Sequence, residues 1–286
     1  MAMQESYDQY YATGYYDQRY PTANGSTLER TLAVTPPGGA SILDIGAGNG
    51  RYAVILASRG YVVNAVEPSD YARAQLRHSS EVRKLESQIV VFKELADVPS
   101  TVVANSHLAM LQFGVLGHMC YIERMQVLGR LMDEMPSGSA VVGSVPNRFR
   151  RFRAEQRTGK LSDTGSPPRF KYSRTYGGIE NDLEYTAFSP ADLRQELASA
   201  GWADVALRCE SFFSESMVTR SNTVSRIDRT LTRVAPAMLG YCIWYAARKP
   251  RDALPCSVTC RRQNPSSRWR SWPTVVMHDV AALCIC

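Results

Sequence analysis

Ser41-Ile42-Leu43-Asp44-Ile45-Gly46-Ala47-Gly48-Asn49-Gly50-Arg51 is the stretch that decides the fold. With Ala40 before it, the first half is a short apolar run carrying an acid at Asp44, and the second half is a loop with glycine at 46, 48 and 50. Residues 52–58 then have the apolar spacing of a buried helix, closed by Arg59 and Gly60. The order is strand, glycine loop, helix start. Glycines let the backbone approach a ligand, and the free N–H groups of a new helix favour anionic or polar groups.

Working outward, the next strand, 61–66, ends in Glu67, seventeen residues past Gly50. In a doubly wound sheet an acid at this tip lies over the switch point and can accept both hydroxyls of a ribose. The dinucleotide fingerprint G-x-G-x-x-G/A, started at Gly46 and Gly48, puts its third position on Arg51 and does not fit. The G-x-G-x-G spacing, with Asp44 two residues ahead of it, resembles motif I of the class I S-adenosylmethionine-dependent methyltransferases. A nicotinamide or flavin site, and a glycine loop with no ligand, are the alternatives. The resemblance implies an α/β fold: a Rossmann-like, doubly wound, seven-stranded sheet with the last strand antiparallel.

Composition sets the class. Of 286 residues, 44% are hydrophobic and 21% charged, as in soluble globular proteins. No apolar run reaches the roughly 18–20 residues that span a bilayer, and the first residues lack the basic start and apolar core of a signal peptide. Cys120, Cys209 and Cys242 read as reduced thiols in apolar or mixed segments, so the expected compartment is the cytoplasm. The net charge of +6 is uneven. Residues 148–174 hold nine Lys/Arg against two acids and the tail 250–286 holds five Arg against two Asp, so the remainder is acidic.

Six tyrosines, at 7, 10, 11, 15, 16 and 20, crowd the first twenty residues. With Tyr7-Asp8 and Tyr16-Asp17 they resemble the leader that precedes motif I in small methyltransferases and folds over the cofactor as a lid. An aromatic face packed on the domain's flank is the other reading. Asn24 then caps a short helix, and 36–39 is a turn into the first strand. Further strands are expected at 88–92, 107–112, 140–145, 203–213 and 241–247. Helices are expected from Ser69 to about 78, over 123–135, over 188–202 with Ser189 as cap and Pro190 at its first position, and over 221–233. About forty residues, 147–187, separate the fifth strand from the 188 helix. Their second half turns like a hairpin and is expected to form a cap beside the site. The domain plan is therefore a tyrosine-rich lid and helix at 1–39, a methyltransferase domain at 40–249 with its cap, and a disordered tail at 250–286. The tail's Cys256 and Cys260 with Cys284 and Cys286 lack zinc-site spacing, and no metal is expected.

The resemblance assigns the cofactor residues. Asp44, Gly46, Ala47, Gly48 and Gly50 would hold the methionine end, and Glu67 with Pro68 the ribose. Glu94 and Leu95 would meet the adenine, with Asp97 as the alternative acid. Gln112 and Phe113 would stand near the methyl, and Tyr11, Tyr16 and Arg19 would close over it. The implied donor is S-adenosylmethionine and the product S-adenosylhomocysteine. An oxygen acceptor needs a base, for which His118, Tyr172 and Glu184 are candidates; His118 as a structural brace is the other reading. Tyr176 and Tyr185 are candidate substrate contacts. The expected acceptor is a small molecule, natural-product or sugar-like, with an anionic one as an option that the basic run offers, methylated on O or N. A tRNA base is the alternative, from the basic run, and a catalytically inactive binding domain is the second alternative. Nothing in the sequence fixes the oligomeric state.

Overall fold

The structure is a computed structural model describing residues 2–251, apart from 152, 154–155, 157–160, 164–166 and 177–178; the side chains of 2–6, 161–163, 172–174, 176 and 179–182 also lie outside the description. The expectation for the tail beyond 251 therefore falls outside the described residues. Two helices, α1 (Ala2–Ala12) and α2 (Tyr15–Arg19), precede α3 (Gly25–Val34), where the Asn24 side chain accepts N–H bonds from Ser26 and Thr27. The chain then alternates: β1 (Ser41–Ile45), α4 (Ala53–Ala57), β2 (Val62–Val66), α5 (Asp70–Val82), β3 (Ile89–Phe92), α6 (Ser100–Ala104), β4 (Ser106–Leu111), α7 (Val115–His118), α8 (Tyr121–Glu134), β5 (Ala140–Pro146). A three-stranded unit of β6 (Leu161–Asp163), β7 (Arg169–Tyr176) and β8 (Ile179–Thr186) interrupts this alternation. It ends with α9 (Pro190–Ser199), β9 (Ala203–Ser211), α10 (Glu215–Arg220), α11 (Asn222–Val234) and β10 (Cys242–Arg248).

The seven-stranded sheet has the order β3-β2-β1-β4-β5-β10-β9. β1 pairs in parallel with β2 and β4, and β4 with β5, while β10 runs antiparallel to both β5 and β9. The expected sheet and its antiparallel last strand are thus present. Strand order reverses between β1 and β4, and the crevice at their carboxyl ends is where ligands bind in such sheets.

Both faces are covered, which is why the central strands read as apolar runs rather than alternations. On one face Leu43, Leu111 and Val141 pack with Leu128 and Leu131 of α8 and Leu193 and Leu197 of α9. On the other, Ile42, Val63 and Met110 pack with Leu56 of α4 and Leu76 of α5, Leu28 and Leu32 of α3 lying against them. Ser189 caps α9, with Pro190 in its first turn. Most expected elements fall within one to four residues of their expected ends. Of the elements not expected, α2, α6, α7, α10 and β6 are short and carry too few turns or pairs for periodicity to register, while α1 lies in the tyrosine-rich leader. Among the described residues no helix is long and apolar enough to cross a membrane.

Candidate active site

The glycine loop rises from the carboxyl end of β1. Gly46, Gly48 and Gly50 have φ of 72°, 58° and 88°, a left-handed backbone that side chains rarely adopt. A Cβ on Gly46 would meet Val115 Cγ2 at 2.5 Å, and one on Gly48 would meet the Tyr11 hydroxyl at 2.6 Å. Ala47 N–H, like Gly46 N–H, bonds to Val66 O, fixing the loop to β2. The cradle therefore exists only without side chains at these positions.

Glu67 stands at the tip of β2, buried, its oxygens accepting Gly48 N–H at 2.8 Å and Ser69 N–H at 2.9 Å. Each oxygen keeps a further lone pair for a ligand donor. The carbonyls of Glu67 and Pro68 are gripped by Arg73 Nη1 at 2.6 and 2.8 Å. Asp44 is buried too, and burial, with Glu67 nearby, pushes its carboxyl up to about 7. A bound cation would relieve both costs.

The tyrosines cover this cradle. Tyr10, Tyr11 and Tyr16 are buried in one cluster with Ala72, against which Tyr7, Tyr15, Tyr20 and Phe113 pack. Three residues hold the segment down. Asp8 Oδ1 accepts from Ser69 Oγ and from Tyr71 N–H at the start of α5, and Asp17 accepts from Asn49 Nδ2 in the loop and from Gln75 Nε2. The Tyr7 hydroxyl lies 2.6 Å from His118 Nε2. Arg19 donates to the Tyr15 and Tyr20 hydroxyls at 2.8 and 2.9 Å, so it braces the aromatic cluster.

At the tip of β4, Phe113 has φ 59°, and its N–H bonds to Ser144 Oγ of β5 at 2.9 Å. A non-glycine residue in this region costs about 1–3 kcal/mol and persists where its surroundings enforce it. Arg51, buried, sits among Phe113, Tyr16, Tyr20 and Tyr52, its Cζ 4.9–5.5 Å from the four ring centres. It lies 3.6 Å from Glu215 Oε1. Behind it is a buried polar layer, of which the sequence reading singled out Asn24 and Gln112 but not Thr27, Thr31, Glu210 or Glu215. Asn24 donates to Glu215, Thr27 to Glu210 and Gln112 to Thr31, at 2.8, 2.9 and 3.1 Å. Gln112 Oε1 is buried with no hydrogen-bond partner among the described residues. Glu210 lies in the buried end, Cys209 to Ser211, of a strand whose first six residues alternate half-buried and exposed.

The adenine-side candidates follow the carboxyl end of β3, the neighbour of β2 in the sheet. Glu94 and Asp97 are exposed beyond β3, and Asp97 accepts the Glu94 N–H to cap the turn Leu95–Asp97. Leu95 is half-buried against the core, its carbonyl taken by Arg130.

His118 joins three segments. Besides Tyr7, its ring lies 3.9 Å, centre to centre, from Tyr185 of β8. Gly114 and Gly117 make room for Tyr185: a Cβ on either would stand 2.6 or 2.9 Å from it. Burial lowers the His118 imidazole to about 3, with Arg151 and Arg169 adding to the effect. A neutral imidazole that protonates only near pH 3 is a weak base, so the geometry favours the bracing role over proton removal. Glu184 is half-exposed and paired with Arg169 Nε at 2.7 Å; Arg169 in turn donates to the carbonyls of His118 and Met119. The structure does not bring the Glu184 carboxylate to His118; it anchors the arginine that does reach there. Tyr172 lies on β7 opposite Leu183, and its side chain, like that of Tyr176, is outside the described residues. Among the described residues no group of His, Cys, Asp and Glu is arranged to hold a metal.

Residues 8–127 match the family of the tellurite resistance protein TehB, somewhat under half of the chain. Many solved structures share the fold. One is a DhpI complex with S-adenosylmethionine and HEP, 14% identical, covering 86% of this chain and 96% of that one at a TM-score of 0.57. Another is an S-adenosylmethionine-dependent methyltransferase from Thermotoga maritima, 15% identical, covering 86% and 99% at 0.55. The chain has the class I methyltransferase fold. The CcbJ methyltransferase of Streptomyces caelestis shares it as well, 16% identical and covering 82% and 95% at 0.54. No curated protein matches the sequence. The resemblance first read from the glycine loop is thereby borne out at the level of fold.

Proposed function

We propose that the protein is an S-adenosylmethionine-dependent methyltransferase acting on O or N of a small-molecule acceptor. The observation that carries this reading is the pairing of two buried acids, Asp44 and Glu67, with a glycine cradle that only a backbone can line. The donor set suits the cofactor: Glu67 keeps lone pairs for ribose hydroxyls, and Asp44 gains from a positive group. When bound, the sulfonium supplies an electrophilic methyl group, so the chain's own task is alignment and exclusion of water. The tyrosine cluster would seal the cradle, Phe113 and Tyr185 would border the acceptor, and Arg51 and Arg151 would give that end a positive field.

The domain plan of lid, core and cap is part of the same proposal. The tRNA alternative draws little from the basic run. Arg148 pairs with Asp192, Arg169 with Glu184, Arg150 donates to Leu239 O, and Arg151 stacks on Tyr185 and Tyr241. Four of the nine charges are thus engaged within the fold, which favours the small acceptor.

Calorimetric titration with S-adenosylmethionine and S-adenosylhomocysteine tests the reading on wild type and Glu67→Ala. Micromolar binding by wild type, weakened about 10- to 100-fold by loss of the charged hydrogen bonds, is expected. A folded protein that binds neither compound would overturn the reading and leave the inactive-domain alternative.

A further inference from the structure

On the outer side of α3 lies a second cleft, away from the glycine loop, of about 280 Å³. Four arginines from three elements converge on it: Arg30 of α3, Arg208 of β9, and Arg229 and Arg233 of α11. Ser26 also lines it, and Glu29 is the acid in the lining, 3.6 Å from Arg233 where both side chains are more than half exposed. Arg208 and Arg229 are exposed and make no ion pair with a described carboxylate.

Arg30 is fixed in place. Its guanidinium donates to the carbonyls of Cys209 and Thr232, bridging β9 and α11. The acids behind it are turned to other donors: Glu210 accepts from Thr27, and Asp228 accepts the N–H groups of Phe212 and Phe213 at 2.7 and 3.0 Å. Burial lowers the Arg30 guanidinium below its ordinary value despite the pull of Glu210, and Arg208 adds to the lowering. An anion in the cleft would remove that penalty.

We propose that this cleft is a binding site for a phosphoryl anion, gripped by Arg30, Arg208, Arg229 and Arg233. Planar guanidinium forks match the oxygens of phosphate in pairs, and four cations against one exposed acid suit a ligand of more than one negative charge. Convergence on a single concavity favours a small ligand, a phosphate ester or diphosphate, over an extended polyanion. The site is separate from the methyl-transfer reading, though α3 connects them: its inner side carries Thr27 and Thr31 to Glu210 and Gln112.

Inorganic pyrophosphate is the probe. Calorimetric titration at constant ionic strength is expected to show saturable binding to the full chain. Arg208→Gln with Arg229→Gln, both at exposed positions, should weaken it about tenfold or more, while cofactor affinity and thermal unfolding of the free protein stay unchanged. Absence of saturable binding at millimolar pyrophosphate would overturn the proposal, as would equal affinity in the double variant. Binding of an RNA oligonucleotide but not pyrophosphate would overturn it too, pointing to a salt-dependent contact with phosphate backbones.

Discussion

The two halves of the sheet are built in opposite ways. On the β1–β2 side, the cradle comes from residues 44–69, and its main contacts are made by backbone N–H and C=O groups. Across the switch point, the neighbourhood of Phe113 gathers Tyr7, Tyr20, Asn24, Arg51, His118, Arg151, Tyr185 and Glu215 from much of the chain, and side chains make nearly every contact. The first arrangement suits an invariant ligand; the second can be altered one side chain at a time. A methyltransferase with one donor and a particular acceptor needs both.

The largest effect should come from Gly48→Val. At φ 58° a β-branched residue is strained, and its Cβ would collide with the Tyr11 hydroxyl. Cofactor titration should give no measurable heat while circular dichroism retains the wild-type spectrum; normal binding would break the contrast.

Asp44→Asn should act through pH. The folded Asp44 carboxyl titrates near 7, and a cationic ligand prefers it ionised, so wild-type affinity should rise with pH up to about 7 and level off above. Below 7 each pH unit should cost up to about tenfold, since proton release is linked to binding. Titrations from pH 5.5 to 8.5 should show that slope in wild type and a flat line in the variant.

Across the switch point, His118 should be silent over the same range. With its imidazole held down to about 3, its ring proton shifts in an NMR titration should not move between pH 5 and 8. Movement near 6.5 would show that the ring is solvated and the Tyr7 contact open. Smallest of all, Tyr7→Phe removes one hydrogen bond worth about 1 kcal/mol. It should speed amide exchange in α1 by about fivefold and leave cofactor affinity within about twofold.

The same contrast explains what could be read in advance. Asp44, the three glycines and Glu67 lie on one strand–loop–helix–strand unit, so their spacing alone places them together. Asn24 and Glu215, or His118 and Tyr185, meet only because the sheet is threaded as it is, and spacing carries no trace of that. Glu94 was picked by its place after the third strand, and the structure adds that the side chain is exposed there. Arg51 was visible only as the residue that spoiled a dinucleotide fingerprint, yet it lies within 5.5 Å of four aromatic rings.

β10 has one further consequence, for the order in which the molecule can be made. It is the seam between β5 and β9, pairing Cys242–Arg248 with residues 140–146 made about a hundred positions earlier. As the chain leaves the ribosome, β1 to β5 can assemble the glycine cradle while β5 remains an open edge. The far half of the sheet then closes in one late step, when the seam strand slots in against the direction of its neighbours. Long-range pairing of this kind is slow, and an open edge invites wrong partners until it is filled. Substitutions in β10 should therefore register first as lost yield during synthesis, before any change in the finished protein's affinity for its ligands.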